Sequence, residues 1–185
     1  MSRRAPKFDF FSLLCGLQNL LKMKTIYFVR HAKSSWDNPM LRDIERPLGG
    51  RGLKDAPFMA RMLKDKGVQP DLLLSSPATR AYSTALFFAD AFAVEHASVQ
   101  LEPRIYEAYP EDIMVIISKL PDVLDTVLLF GHNPTFTTLA NRFSPTYIDN
   151  VPTCGIFKVE ASVDSWNDFH APDTKLTAFY FPKQF

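Results

Sequence analysis

Lys24 to Trp36 reads K-T-I-Y-F-V-R-H-A-K-S-S-W. Thr25 to Val29 is a β-branched and aromatic run, which predicts a strand, and the run stops abruptly at a cationic pair, Arg30 and His31. Parallel sheets collect ligands outside the carboxyl ends of their strands. An always-charged Arg beside a nucleophile-capable His at that point is therefore a candidate anion site. Taken alone, such a dipeptide after a strand is usually a solvated loop start.

The layout of strand, charged turn and helix recurs downstream. Leu72 to Leu74 predicts a short buried strand, and Ser75-Ser76-Pro77 a helix start, with Ser as N-cap, Pro in the first turn and Arg80 one turn inside. That helix runs to about Phe92. Thr126 to Phe130 is the most apolar strand, and Gly131-His132-Asn133-Pro134 turns it into a helix over Thr135 to Phe143. Between these units, Ser34 to Leu48 is a polar surface loop holding Arg42, Arg46 and Pro47. After Gly49-Gly50, the spacing of Leu53, Phe58, Met59, Met62 and Leu63 predicts a helix up to Gly67 as its C-cap, with Pro57 kinking it or marking its effective start.

Val99 to Leu101 predicts a further strand, Glu102 to Tyr109 an irregular stretch, and Pro110 a helix that carries Ile113, Ile116, Ile117 and Leu120 until Pro121 ends it. Gly155 to Val159 and Lys175 to Phe181 predict two closing strands, with Trp166 between them. Strands alternating with helices mean a three-layer α/β/α sandwich around a mostly parallel central sheet, the late strands antiparallel.

A chain of 185 residues, 46% apolar, suits one domain with a sizeable core and is short for two. Twenty-one basic against 20 acidic residues leave a formal charge of +1, so no nucleic-acid or membrane partner is expected and any affinity for anions must be local. Cys15 and Cys154 stand far apart without a C-x-x-C pair, which reads as a reduced, cytoplasmic protein. His31, His96, His132 and His170 form no H-x-H or H-x-x-x-H pair, so no metal and no cofactor is expected. Ser2-Arg3-Arg4 before Phe8 to Leu21 resembles a signal peptide superficially. Asp9 and Gln18 interrupt the apolar run, however, and no small-x-small cleavage site follows. Residues 1–22 are read as an extension of unknown role, with Phe10 to Leu21 as a possible amphipathic docking helix or Met23 as an alternative start, and residues 23–185 as a single catalytic domain.

Three strand ends thus present related chemistry: Arg30-His31, Ser75 to Arg80, and Gly131-His132. Adjacent strands lie about 5 Å apart, so these groups can converge on one crevice. Two Arg and two His around one point describe a phosphoryl pocket, because guanidinium forks match phosphoryl oxygens and helix N-termini add oriented amides. Each residue has a plainer reading: Arg80 a surface charge, His132 a turn cap, Ser75 and Ser76 structural caps, Glu107 a loop carboxylate. Their joint placement at strand ends weakens those readings together.

At these residues the chain resembles the histidine phosphatase superfamily, and within its phosphoglycerate-mutase-like branch the SixA-type phosphohistidine phosphatases. The resemblance rests on R-H-A-K-S-S-W at Arg30 to Trp36, E-R-P-L-G-G-R-G-L-K-D-A-P at Glu45 to Pro57, S-S-P-A-T-R-A at Ser75 to Ala81, G-H-N-P at Gly131 to Pro134 and P-T-C-G at Pro152 to Gly155. It implies a phosphoglycerate-mutase-like fold in which His31 is the nucleophile that becomes phosphorylated, while Arg30, Arg80 and His132 bind the phosphoryl oxygens. It also implies that Glu107, in R-I-Y-E, is the proton donor. R-H-A in place of the usual R-H-G is the SixA-like form and disfavours a sugar-phosphate mutase.

On this reading His31 attacks as neutral imidazole, kept so by the neighbouring cations, and a protonated His132 helps to carry the transferring group. Arg42 and Arg46, on the loop above, either read the substrate or form a solvated loop. The expected activity is a metal-independent phosphatase acting on a phosphohistidine-bearing protein. A phosphatase for small phosphorylated metabolites is the alternative, and a non-catalytic phosphate-binding module would not need both histidines.

Overall fold

The computed structural model describes residues 22–185. The amphipathic helix considered for Phe10 to Leu21, and Cys15 with it, lie outside the described residues. The strands are β1 (Met23–Arg30), β2 (Leu72–Ser75), β3 (Gln100–Leu101), β4 (Thr126–Gly131), β5 (Ile156–Ser162) and β6 (Lys175–Tyr180). The α-helices are α1 (Gly50–Asp65), α2 (Thr79–Phe92), α3 (Pro110–Ile117) and α4 (Thr135–Phe143). The sheet order is β3-β2-β4-β1-β5-β6. β1, β2, β3 and β4 pair in parallel, whereas β5 and β6 run antiparallel on one flank.

Strand side chains alternate between two cores, as the two-residue repeat of a pleated strand demands. Ile26 and Phe28 of β1, with Val127 and Leu129 of β4, face Ile113, Ile117, Phe136 and Leu139 of α3 and α4. Tyr27, Val29, Leu128 and Phe130 face Ala56, Met59, Leu63, Ala85 and Phe88 of α1 and α2. The result is three layers, with runs such as Leu128–Phe130 buried on both faces of the sheet. Phe28 stacks on Phe157 at 4.6 Å and meets Phe136 edge-on at 5.5 Å. Truncating a ring packed like this costs about 3–5 kcal/mol.

Several elements differ from the expected boundaries for local reasons. α1 starts at Gly50 and continues past Pro57; the carbonyl that Pro57 leaves without a donor belongs to exposed Leu53, where water can serve it. Gly67 adopts φ +79° just beyond α1, the left-handed geometry of a helix stop. α2 begins at Thr79, so neither Ser75 nor Ser76 caps it and Arg80 is its second residue. α3 ends at Ile117, short of Pro121.

The register positions the site. Arg30 sits opposite Gly131, and Ser75 opposite Phe130, so the carboxyl ends of β2, β4 and β1 form one continuous edge. Two glycines allow the close approaches there. A Cβ on Gly131 would lie 2.6 Å from the Phe136 ring, and one on Gly52 would lie 2.3 Å from the Lys33 carbonyl, which pins α1 against the loop leaving β1.

Candidate active site

His31 follows the last residue of β1 and is 8% exposed. Its N–H donates to Gly131 O at 3.0 Å, and Cys154 N–H donates back to the carbonyls of Arg30 and His31, each at 3.1 Å. The imidazole Nδ1 lies 2.8 Å from Ala32 O. A carbonyl only accepts, so in the neutral ring the proton sits on Nδ1 and the lone pair on Nε2. Arg80 Nε–H donates to that Nε2 at 3.3 Å. The His31 pKa falls to about 4, first through burial, against which the Ala32 bond works, and then through the charges of Arg80 and Arg30. The cations expected to keep His31 neutral do act, but burial acts more strongly.

His132 follows Gly131 at the end of β4, its ring centroid 5.1 Å from that of His31. Its Nε2 lies 2.8 Å from the Ser76 hydroxyl. Ser76 Oγ accepts from Ala78 N–H at 3.3 Å and keeps a proton and a second lone pair, so it either donates to Nε2, with the His132 proton on Nδ1, or accepts from Nε2–H. The Nδ1 atom is buried with no hydrogen-bond partner among the described residues. Burial, then His31 and Arg80, push the His132 pKa down to about 3. The ring is therefore neutral near pH 7, which corrects the expectation of a protonated His132. Ser76 is wholly buried, and its hydroxyl meets His132 as well as the Ala78 N–H.

The side chain of Arg30 turns toward the loop before β5. Nη1 donates to Val151 O at 2.6 Å and to Asn150 Oδ1 at 3.3 Å, acceptors that it shares with the Asn133 amide. Arg30 Nε–H is buried and finds no acceptor among the described residues, just as His132 Nδ1 finds no partner. Arg80 is buried and anchored by Asp43, its Nη1 donating to Asp43 O at 2.6 Å and its Nη2 to Asp43 Oδ2 at 2.8 Å. The Tyr106 hydroxyl and Arg46 Nη1 also donate to Asp43, at 3.0 Å and 3.2 Å. Burial raises the Asp43 pKa, and the Arg80, Tyr106 and Arg46 contacts outweigh it and hold the carboxyl below its ordinary value.

A cavity of about 340 Å³ opens against this cluster. Asp43, Arg80, Tyr106, Glu107, Tyr109 and His132 are among its walls; His31 and Arg30 are not. Glu107 is exposed and adopts φ +57°, a left-handed conformation that costs a non-glycine residue about 1 kcal/mol or more and tends to cluster at functional sites. Arg42 and Arg46 do not reach the cavity. Arg46 is 7% exposed, bonded to Ser34 Oγ and Ser35 O, with its guanidinium 3.1 Å from the centre of the Trp36 ring. Arg42 is exposed and pairs with Glu45 at 2.6 Å. The loop arginines thus hold their own loop together.

The geometry brings His31, Arg80 and His132 into contact range, with Arg30 near enough for its charge to act on both imidazoles. The sequence carries no sign of Asp43 or Tyr106 in the site and marks Ser76 only as a cap, because their places depend on contacts across the fold. An imidazole lone pair beside guanidinium donors, with the unpartnered Arg30 Nε–H and His132 Nδ1 close by, can bind a tetrahedral oxyanion and attack its centre. Among the described residues no group of three or more His, Cys, Asp or Glu could hold a metal ion, and no helix is long and apolar enough to cross a membrane.

Residues 26–113 match the model of the histidine phosphatase superfamily, branch 1. An uncharacterised chloroplastic protein of Arabidopsis thaliana is 34% identical over 157 residues, covering 80% of this chain and 71% of that protein. Among solved structures, a protein of Agrobacterium tumefaciens assigned as the phosphohistidine phosphatase SixA is 27% identical, with a TM-score of 0.71 over 86% of this chain and 98% of its own. The fold is also that of the protein histidine phosphatase SixA complexed with tungstate, at TM-score 0.73 and 21% identity over 86% of this chain and 98% of the other.

Proposed function

The chain belongs to the histidine phosphatase superfamily and is a phosphatase, and we propose that it hydrolyses phosphohistidine in proteins through a covalent intermediate on His31. The observation that carries this reading is the tautomer of His31. Its Nδ1–H is committed to Ala32 O, so Nε2 carries the lone pair, held at the guanidinium by a long bond of 3.3 Å from Arg80 Nε–H. In the proposed reaction Nε2 attacks phosphorus and the bond to the leaving group breaks. Arg80, Arg30 Nε–H and His132, in the tautomer with its proton on Nδ1, take up the phosphoryl oxygens, and Glu107 supplies the leaving group's proton. Water then attacks the phosphohistidine and gives a proton back to Glu107, releasing inorganic phosphate and restoring neutral His31 and the acid form of Glu107. The guanidiniums bring the positive charge that a metal would bring elsewhere, so the reaction is metal-independent.

The residues from Met23 onward act as one catalytic domain in this proposal, in the cytoplasm. The Agrobacterium relative assigned as SixA favours a protein phosphohistidine as substrate. The second reading, a phosphatase for small metabolites, draws on the cavity itself, whose aromatic walls at Tyr106, Tyr109 and Phe136 could hold a compact substrate. Release of phosphate from phosphohistidine peptides, measured beside alkyl and aryl phosphate monoesters in the presence of EDTA, separates the two. A higher kcat/KM on the peptide supports the first reading. Preference for a small monoester selects the second, and activity that disappears in EDTA and returns with a divalent ion contradicts both.

A further inference from the structure

Thr84 lies one turn beyond Arg80 on α2 and is completely buried. Its hydroxyl donates to Arg80 O at 2.7 Å, the bond that a threonine commonly makes to its own helix. A second bond leaves the helix: Ala32 N–H donates to Thr84 Oγ1 at 3.0 Å, joining residues 52 positions apart. Ala32 O in turn accepts from His31 Nδ1, and Arg80 Nε–H donates to His31 Nε2. The four contacts close a ring that runs Arg80, Thr84, Ala32, His31 and back to Arg80.

We infer that Thr84 is the positioning residue of the site, its hydroxyl setting His31 and Arg80 against each other so that Nε2 carries the lone pair and faces the guanidinium. This rests on the reading of His31 as nucleophile. The Ala32 carbonyl is what commits the His31 proton to Nδ1, and on the other side of the same Cα, Ala32 N–H bonds to Thr84, the only side chain in the described structure that reaches it. The same hydroxyl ties the Ala32 backbone to the first turn of α2, which carries Arg80. Without it, Ala32 N–H has no partner in a buried place, the Ala32 backbone must shift to find one, and its carbonyl and the imidazole that the carbonyl orients shift too. A displacement of about 1 Å at a reacting centre can cost about a hundredfold in rate.

The test compares Thr84→Val, which keeps the volume and removes the hydroxyl, with Thr84→Ser, which keeps the hydroxyl and removes a methyl. Turnover of p-nitrophenyl phosphate, thermal unfolding and the ¹⁵N chemical shifts of the His31 imidazole are followed in each. Thr84→Val is expected to lose about a hundredfold in kcat with KM within a few-fold of the parent, and its His31 shifts should no longer report an Nδ1–H tautomer. Thr84→Ser should stay within a few-fold in kcat and keep the tautomer, despite a lower unfolding temperature from the lost methyl. If Thr84→Val does not fold, Thr84→Ser against Thr84→Ala makes the same comparison with the methyl absent from both. Parent-like turnover without the hydroxyl, or equal losses with and without it, overturns the inference. His31→Ala serves as the reference: if it still turns over, the nucleophile reading itself falls, whereas an inactive His31→Ala beside a fully active Thr84→Val overturns only the role of Thr84.

Discussion

Asp43 holds Arg80 at two points, accepting Nη1–H on its backbone oxygen at 2.6 Å and Nη2–H on its carboxylate at 2.8 Å. A phosphoryl group that binds the same fork must compete with a carboxylate already there. Asp43→Asn keeps the shape and removes the charge, so the inhibition constant of vanadate should fall by several-fold, on the scale of one weakened charge-assisted bond. Unchanged or weaker vanadate inhibition in a folded Asp43→Asn variant would mean that Asp43 presents Arg80 to the anion and does not compete with it.

The two histidines give the fold a defined acid response. Their folded pKa values, about 4 for His31 and about 3 for His132, lie below the ordinary histidine value of 6.5. Between those values and 6.5 the unfolded chain binds protons that the folded chain refuses. Stability is therefore fully present above about pH 6.5 and is lost as the pH falls toward 4 and then 3, by up to about 1.4 kcal/mol per pH unit for each histidine. Urea midpoints at pH 7 and pH 5 should show the loss, and His31→Ala should lessen it. Resonances assigned to the His31 or His132 imidazole that titrate near 6.5 in the native protein would contradict this account.

Glu107 can be assigned through the leaving group. A general acid matters most when the departing atom would otherwise leave as a strong base, as from an alkyl phosphate, and far less for nitrophenolate or for the weak P–N bond of phosphohistidine. Glu107→Gln should lose on the order of a hundredfold with an alkyl phosphate and much less with p-nitrophenyl phosphate. Equal losses with both would make Glu107 a group that shapes the cavity; no loss would make it a solvated carboxylate.

Much of this architecture could be read from the chain because it is local. The apolar runs before Arg30, Ser75 and Gly131 mark strands whose parallel pairing brings their ends together, and that pairing places His31, Arg80 and His132 within reach of one another. Arg46 shows the limit. A charged side chain in a polar loop looks solvated, and only the folded loop reveals that it lies under Trp36 against the Ser34 hydroxyl. Asp43 meets Arg80 across 37 residues and Ser76 meets His132 across 56, distances over which no periodicity carries information. Thr84 left a faint signal, since it stands four residues after Arg80 and so shares its helix face.

The central claim is that His31 Nε2 is the atom that takes the phosphoryl group. Brief mixing with ³²P-labelled substrate, quenching without acid and peptide mapping measures this directly. Label on the peptide containing His31, stable to alkali and lost in acid, is the expected result, together with no label and no turnover in a folded His31→Ala variant. Label on another residue, or turnover that persists in His31→Ala, would contradict the account.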